Sequence, residues 1–128
     1  MNFEIVIIGA STAGLYAAEQ LASAGKNVAL FESQATLNPN RRTYIITSGL
    51  ERVLGNIPQS LILHRISTVL VDGPSTETEI TLREPDLILE RNQLTIHLAS
   101  MAQDSGVELF FGHTFDEYKY QEGRTILQ

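Results

Sequence analysis

The chain has 128 residues, and its 43% hydrophobic and 19% charged content is typical of one globular domain with a packed core. Its 15 acidic and 9 basic residues give a formal net charge of -6, which repels phosphate backbones and anionic membrane surfaces, so nucleic acid is not expected as a partner. The chain contains no cysteine. This excludes disulfides, thiolate metal sites and a redox-active cysteine pair, and with them the flavoenzymes that reduce disulfides.

The N-terminal segment predicts neither a signal peptide nor a membrane anchor. Its apolar run begins at Phe3 and stops at Gly9, far short of a membrane span or a signal-peptide core. We therefore expect a cytoplasmic protein without a transmembrane segment, and the lack of cysteine agrees with that compartment.

The first part of the chain predicts a βαβ unit. Residues 3–8 form a nearly continuous β-branched run that ends at Gly9, which is typical of a parallel strand covered on both faces. Apolar residues at helical spacing predict a helix over residues 12–24, ended by Gly25, and residues 27–31 predict a second strand. Because a helix connects them, the two strands are expected to be parallel with a right-handed crossover.

The middle of the chain predicts an antiparallel excursion. Residues 33–42 are polar and are expected to form a surface loop, and residues 47–54 suit a short helix. Strands are predicted over residues 60–72 and 78–83, with a turn at Gly73-Pro74 between them.

The last part of the chain predicts a helix, a strand and a hairpin. An apolar stripe predicts the helix over residues 91–105, and residues 107–111 predict a third parallel strand. Aromatic alternation predicts a hairpin over residues 114–128, turning at Glu122-Gly123. The sequence thus predicts an α/β Rossmann-like domain over residues 1–128, with strand order 3-2-1 and strand one at an edge that later strands would have to cover.

The turn between the first strand and the first helix is the candidate ligand site. Its sequence is Gly9-Ala10-Ser11-Thr12-Ala13-Gly14, at the place where dinucleotide-binding folds carry a G-x-G-x-x-G turn. Gly9 permits the tight turn, and Gly14 lets the helix pack close to the strand. Ser11 replaces the second glycine and adds a Cβ, although its hydroxyl and the helix N-terminus still offer donors to a diphosphate. The alternative is a tight turn without a ligand.

Glu32 at the end of the second strand is the candidate ribose-binding residue. It lies 23 positions after Gly9 (32 minus 9), where an acidic side chain accepts hydrogen bonds from an adenosine ribose. A carboxylate there repels a 2′-phosphate, so FAD or NAD is favoured over NADP. The alternative is a solvated residue at the end of a strand.

At these motifs the chain resembles the FAD-dependent oxidoreductases that include the geranylgeranyl reductases and the para-hydroxybenzoate hydroxylase type of aromatic monooxygenase. The motifs are residues 5–15, Phe31-Glu32-Ser33, Arg41-Arg42 and the helix opening at residues 90–94. The resemblance implies an FAD-binding N-terminal part, with excursion strands at about 60–89 that begin a substrate-side sheet. It also implies that the chain is incomplete, since the later strands, a glycine-aspartate segment near the flavin and most of the substrate pocket would lie elsewhere.

The resemblance further implies three arginines near the cofactor. Arg41 or Arg42 resembles the family's arginine that contacts the FAD phosphates, and a guanidinium fork suits a diphosphate. Arg91 resembles the arginine that opens the second helix, although a cation there opposes the helix dipole. The alternatives are a solvated basic loop for the first two and, for Arg91, an ion pair with Glu90 or another surface carboxylate.

The remaining polar and aromatic candidates are expected to be structural. His64, His97 and His113 have no metal-ligand spacing, and each is expected to be an ordinary half-buried or surface histidine. Tyr118 and Tyr120 are expected to pack rather than to face a flavin. No catalytic residue can be named.

The sequence leaves three functional readings. The first is the FAD-binding portion of a reductase or monooxygenase, with NAD(P)H as a possible electron donor and a second chain or a further segment completing the sheet. The second is an NAD-binding module or a ligand-binding regulatory subunit, and the third is a non-catalytic module that binds a partner through its open strand edge.

Overall fold

The computed structural model describes residues 2–37, 42–55 and 57–128. By its contacts the chain divides into two compact units. We call Met1–Pro39 together with Thr95–Gln128 the terminal unit, and Asn40–Leu94 the inserted unit. In chain order, the helices and strands are β1 (Ile5–Ile8), α1 (Thr12–Ser23), β2 (Val28–Glu32), β3 (Thr43–Ile46), α2 (Ser48–Leu54), β4 (Ile62–Asp72), β5 (Glu77–Glu90), α3 (Arg91–Asp104), β6 (Glu108–Phe111), β7 (Tyr118–Gln121) and β8 (Arg124–Leu127).

The terminal unit contains a three-stranded parallel sheet in the order β1-β2-β6. The predicted βαβ unit and the 3-2-1 strand order are therefore confirmed, with β1 at an edge. Val28, Ala29 and Leu30 are fully buried in the central strand β2. Burial of such side chains from both faces is what makes a continuous apolar run stable as an inner parallel strand.

Helix α1 covers one face of this sheet, and aromatic side chains lie on the other. Helix α1 buries Leu15 and Ala18 and packs against β1 and β2. On the opposite face Phe31 stacks on Phe110, with ring centroids 4.7 Å apart, and both rings are half-buried. Ile8 is 48% exposed, so the prediction that the first strand is covered on both faces is wrong at its C-terminal end. The reason is that, within the described part of the chain, β1 has a neighbouring strand on one side only.

The terminal hairpin is confirmed. Strands β7 and β8 pair antiparallel, and the two residues between them, Glu122 and Gly123, have φ of 50° and 78°. Positive φ at both positions is what a tight two-residue hairpin turn requires. Tyr118 and Tyr120 are 66% and 75% exposed on β7, so the prediction that they pack is wrong.

The inserted unit is an antiparallel sheet in the order β3-β5-β4. It contains the predicted excursion, but β3 was not predicted, and β5 is longer than the predicted strand at residues 78–83. Pro85 explains the second difference, because proline has no N–H for the ladder and ends a strand pattern in sequence. The register accordingly jumps from Ile66 paired with Asp86 to Thr68 paired with Thr81, and β5 continues past the irregularity into α3.

Candidate functional site

The turn between β1 and α1 depends on two glycines in different ways. Gly9 has φ of +98°, a conformation that side-chain-bearing residues rarely adopt. A Cβ on Gly14 would overlap the carbonyl oxygen of Gly9 and would touch Ile7 Cγ2 at 3.6 Å. The Gly9 amide donates to the Phe31 carbonyl at 2.7 Å, which fixes the start of the turn to β2. The roles predicted for both glycines, a tight turn and close helix packing, agree with this geometry.

The backbone amides of the turn fall into two groups. Besides the Gly9 amide, three have acceptors within the protein: Ala10 N donates to Glu32 Oε2 at 2.8 Å, Gly14 N to Ser11 Oγ at 3.2 Å, and Leu15 N to the Ser11 carbonyl at 2.9 Å. The amides of the second group lack such acceptors. Among the described residues, no acceptor lies within hydrogen-bond distance of the amides of Ser11, Thr12 and Ala13.

Thr12 adds a side-chain donor to these three amides. Its Oγ1 is buried and, among the described residues, has no hydrogen-bond partner. A buried hydroxyl without a partner is unfavourable unless something else satisfies it. Together with the amides at the positive end of α1, it forms a set of donors suited to an anion such as a diphosphate.

Ser11 serves as the N-cap of α1 rather than as an obstacle. Its backbone is extended, with φ of -73° and ψ of 166°, and its hydroxyl accepts from the Gly14 amide. This is the ordinary capping geometry for serine, which stabilises the first helical turn. The residue in place of the second glycine therefore uses its side chain within the helix.

Glu32 lies against the same turn. Besides the Ala10 amide on Oε2, its Oε1 accepts from the Gln34 amide at 2.8 Å and from the Ser33 hydroxyl at 3.1 Å. Partial burial opposes ionisation, but the hydrogen bonds from Gln34, Ala10 and Ser33 outweigh it and hold the pKa of the Glu32 carboxyl below its ordinary value. The structure thus brings Glu32, Ser33 and the glycine turn together. Sequence spacing placed Glu32 near the turn but gave no sign of its bond to Ala10.

The candidate arginines belong to the inserted unit. The Arg91 amide donates to the Arg42 carbonyl at 2.8 Å, so their backbones are adjacent, and the Arg42 side chain is exposed. The Arg91 guanidinium lies over the Tyr44 ring, 5.1 Å from its centroid, a cation–π contact that the sequence did not predict. Glu90 caps α3, accepting from the Gln93 amide at 2.8 Å. Arg41 lies outside the described residues.

Among the histidines, His113 lies beside the end of β2. His113 Nδ1 is 2.8 Å from the Phe111 carbonyl oxygen, and its ring packs edge-on against Phe31 and Phe110. Over residues 2–37, 42–55 and 57–128 there is no group of three His, Cys, Asp or Glu residues placed to hold a metal ion. In the same residues no helix has the length and apolarity needed to cross a membrane.

Residues 3–126 match the protein family described as pyridine nucleotide-disulphide oxidoreductase. The chain belongs to this family. The expectation that a cysteine-free chain cannot belong with the disulfide-reducing flavoenzymes is therefore wrong as a statement about the family. These 128 residues nevertheless contain no thiol that could form a redox-active pair.

Solved structures share the fold across nearly the whole chain. A geranylgeranyl bacteriochlorophyll reductase-like protein from Thermoplasma acidophilum has a TM-score of 0.82 at 19% identity, covering 96% of this chain and 33% of that one. The p-nitrophenol 4-monooxygenase PnpA from Pseudomonas putida has a TM-score of 0.77 at 18% identity, covering 95% and 35%. CtdE in complex with FAD has a TM-score of 0.71 at 18% identity, covering 99% and 36%. No curated protein matches the chain.

These comparisons confirm the Rossmann-like α/β fold and the resemblance to the N-terminal part of FAD-dependent oxidoreductases. The chain spans about a third of the length of the solved structures that it matches.

Proposed function

We propose that this chain is the FAD-binding portion of a flavin-dependent oxidoreductase of the reductase or monooxygenase type, and that it binds the ADP half of FAD across the turn between β1 and α1. The observation that carries the proposal is the row of three amides without acceptors, those of Ser11, Thr12 and Ala13, beside the partnerless hydroxyl of Thr12. Donors left unpaired at a helix N-terminus favour a diphosphate. FAD supplies the redox chemistry when bound, and the protein positions it.

The residues of the turn divide the work of binding. The amides of residues 11–13 and the Thr12 hydroxyl donate to the diphosphate, while Gly9, Ala10 and Gly14 keep the backbone close enough for it to approach. Glu32 and Ser33 face the adenosine ribose, since the carboxylate lies on the same turn and can accept from a ribose hydroxyl.

The arginines are proposed to neutralise the phosphates. Arg42, or Arg41, contacts the diphosphate through a bidentate guanidinium, and Arg91 contributes from the first turn of α3. The exposure of the Arg42 side chain supports its role, because an exposed guanidinium can reach a ligand. The contact with the Tyr44 ring supports the role of Arg91, because it holds the guanidinium in a defined place.

The electron donor, the location and the completion of the sheet are further parts of the proposal. We propose NAD(P)H as the electron donor, a cytoplasmic location, and a further strand, from a second chain or from another segment, on the open edge of β1. The antiparallel sheet of the inserted unit, over about residues 60–89, is proposed to face the substrate.

Direct identification of the nucleotide tests the proposal. The purified chain is denatured, and any released nucleotide is identified by its mass and its absorption. FAD is the expected result, and a chain reconstituted with FAD should unfold at a higher temperature, with about 2.7 kcal/mol of added stability at a hundredfold excess over Kd. Stabilisation by NAD alone would instead indicate the nicotinamide-binding module, and a colourless protein that no nucleotide stabilises would indicate the partner-binding module.

A further inference from the structure

The Glu32 carboxylate joins two loops that border the candidate site. One oxygen, Oε2, accepts from Ala10 in the glycine turn, and the other, Oε1, accepts from Gln34 and Ser33 in the loop after β2. Ala10 and Glu32 are 22 positions apart in the chain. No other described carboxylate touches the turn.

The loop side of this bridge is held firmly by backbone bonds. The Glu32 carbonyl accepts from the His113 amide at 2.9 Å, and the Gln34 carbonyl accepts from the Gly112 amide at 3.0 Å. The segment after β2 is therefore tied to the segment after β6, and Glu32 projects from a fixed base. The hydrogen bond from the Gly9 amide to the Phe31 carbonyl fixes the start of the turn, so the carboxylate can set the orientation of the turn from Ala10 onward.

From this geometry we propose that Glu32 is a positioning residue for the diphosphate as well as an acceptor for the ribose. By holding the Ala10 amide, it orients the turn so that the next three amides remain unpaired and available. The inference deepens the proposed function and rests on it. A residue that acts only on the ribose would leave the diphosphate donors as they are.

The direction in which the affinity for a phosphate ligand changes when Glu32 is replaced distinguishes a positioning role from an effect of its charge. Glu32 carries a negative charge beside a site for an anion, so its removal alone should strengthen the binding of a phosphate ligand. Loss of positioning should weaken that binding, because the turn would no longer be held in place before the ligand arrives. The two effects are opposed, and inorganic pyrophosphate, which has no ribose, reports only on the turn.

The experiment compares pyrophosphate binding to the 128-residue chain and to three variants by calorimetric titration. Glu4→Ala is the matched control, since Glu4 also accepts a backbone amide, that of Asn27 at 2.9 Å, and its removal changes the net charge equally. We expect Glu4→Ala to bind as the unchanged chain does and Glu32→Ala to bind about fivefold more weakly. Glu32→Gln keeps one acceptor and should restore part of the affinity.

Amide hydrogen exchange supplies a readout that needs no ligand. The Ala10 amide should exchange about tenfold faster in Glu32→Ala than in Glu4→Ala, since it loses its acceptor. If Glu32→Ala does not fold, Glu32→Gln is compared with Glu4→Gln in the same way.

The outcomes distinguish the two proposals. Pyrophosphate binding to Glu32→Ala that equals or exceeds that of Glu4→Ala overturns the positioning role, and so does unchanged exchange at Ala10. A chain that binds pyrophosphate with the expected dependence on Glu32 but does not bind FAD keeps the positioning role and refutes the proposed cofactor. A chain that binds neither pyrophosphate nor FAD refutes both.

Discussion

At the scale of single residues, the site is defined by which polar groups have partners. Ser11 and Glu32 satisfy two amides of the turn, and Thr12 is left with a buried hydroxyl that has no hydrogen-bond partner among the described residues. Such a group destabilises the ligand-free protein and contributes to binding once a ligand satisfies it. Stability and affinity are therefore opposed at this position.

Thr12→Val tests that opposition. Valine keeps the shape of threonine and removes the hydroxyl, so we expect the free energy of unfolding of the ligand-free chain to rise by about 1 kcal/mol. We expect FAD to bind about fivefold more weakly, because one donor to the diphosphate is lost. Urea denaturation and FAD titration measure the two effects. Thr81→Val, on an exposed strand, should leave FAD binding unchanged, and a Thr12→Val chain with unaltered affinity would exclude the hydroxyl from the site.

Glu4 gives the chain a dependence of stability on pH. Hydrogen bonds from the Asn27 amide and from Lys26, together with the charge of Lys26, hold the pKa of Glu4 below its ordinary value. A group whose pKa is lower in the folded state stabilises above its unfolded pKa, and this stabilisation is lost as the pH falls through its folded pKa. Urea midpoints measured from neutral pH into the acid range should therefore fall less steeply for Glu4→Gln than for the unchanged chain. Parallel curves would show that Glu4 has the same pKa in both states.

At the scale of elements, the sequence pattern predicted the helices more accurately than the strands, which depend on tertiary pairing. The helices α1 and α3 were predicted to within one residue of their ends, because apolar spacing and the glycines that follow them are local signals. Strand β3 was missed, since its four residues carry no clear alternation and are held by pairing with the distant strand β5. Pro85 divided β5 in the sequence but not in the sheet.

The packing of α1 on the turn predicts a sharp difference between two glycines. Gly14→Ala should lower the free energy of unfolding by about 1–3 kcal/mol, because its Cβ would overlap the Gly9 carbonyl oxygen and force the helix away. Gly49→Ala in α2 meets only Thr47 Oγ1 at 3.6 Å and should stabilise by up to about 1 kcal/mol through helix propensity. Urea denaturation of both variants checks this contrast. Equal effects would show that Gly14 is not needed for the close approach.

At the scale of the whole molecule, the open edge of β1 is the feature with the widest consequence. Among the residues that the structure describes, strand β1 pairs only with β2, and an unpaired strand edge is a template for association with another chain. The net charge of -6 opposes such association through general repulsion, so the edge should act mainly at high protein or salt concentration.

Ile8→Lys should reduce concentration-dependent self-association, because a lysine on an edge strand disfavours pairing. Ile96→Lys is the control, since Ile96 is similarly exposed, at 44% against 48% for Ile8, but lies on helix α3. Sedimentation velocity over a range of concentrations measures both. An equal reduction in the two variants would attribute association to exposed apolar surface in general, and not to the strand edge.

The sequence by itself determined the βαβ unit, the glycine turn, the hairpin and the parallel strand order, because these depend on apolar periodicity and on the backbone freedom of glycine, which act over a few residues. Only the tertiary structure decided which amides of the turn stay without an acceptor and which amide of the turn donates to the Glu32 carboxylate. The hydrogen bond between Ala10 and Glu32 joins residues 22 positions apart. It forms because the register of β1 and β2 places Glu32, at the end of β2, beside the turn that follows β1. The packing of the whole sheet sets this register, so no local sequence pattern predicts it.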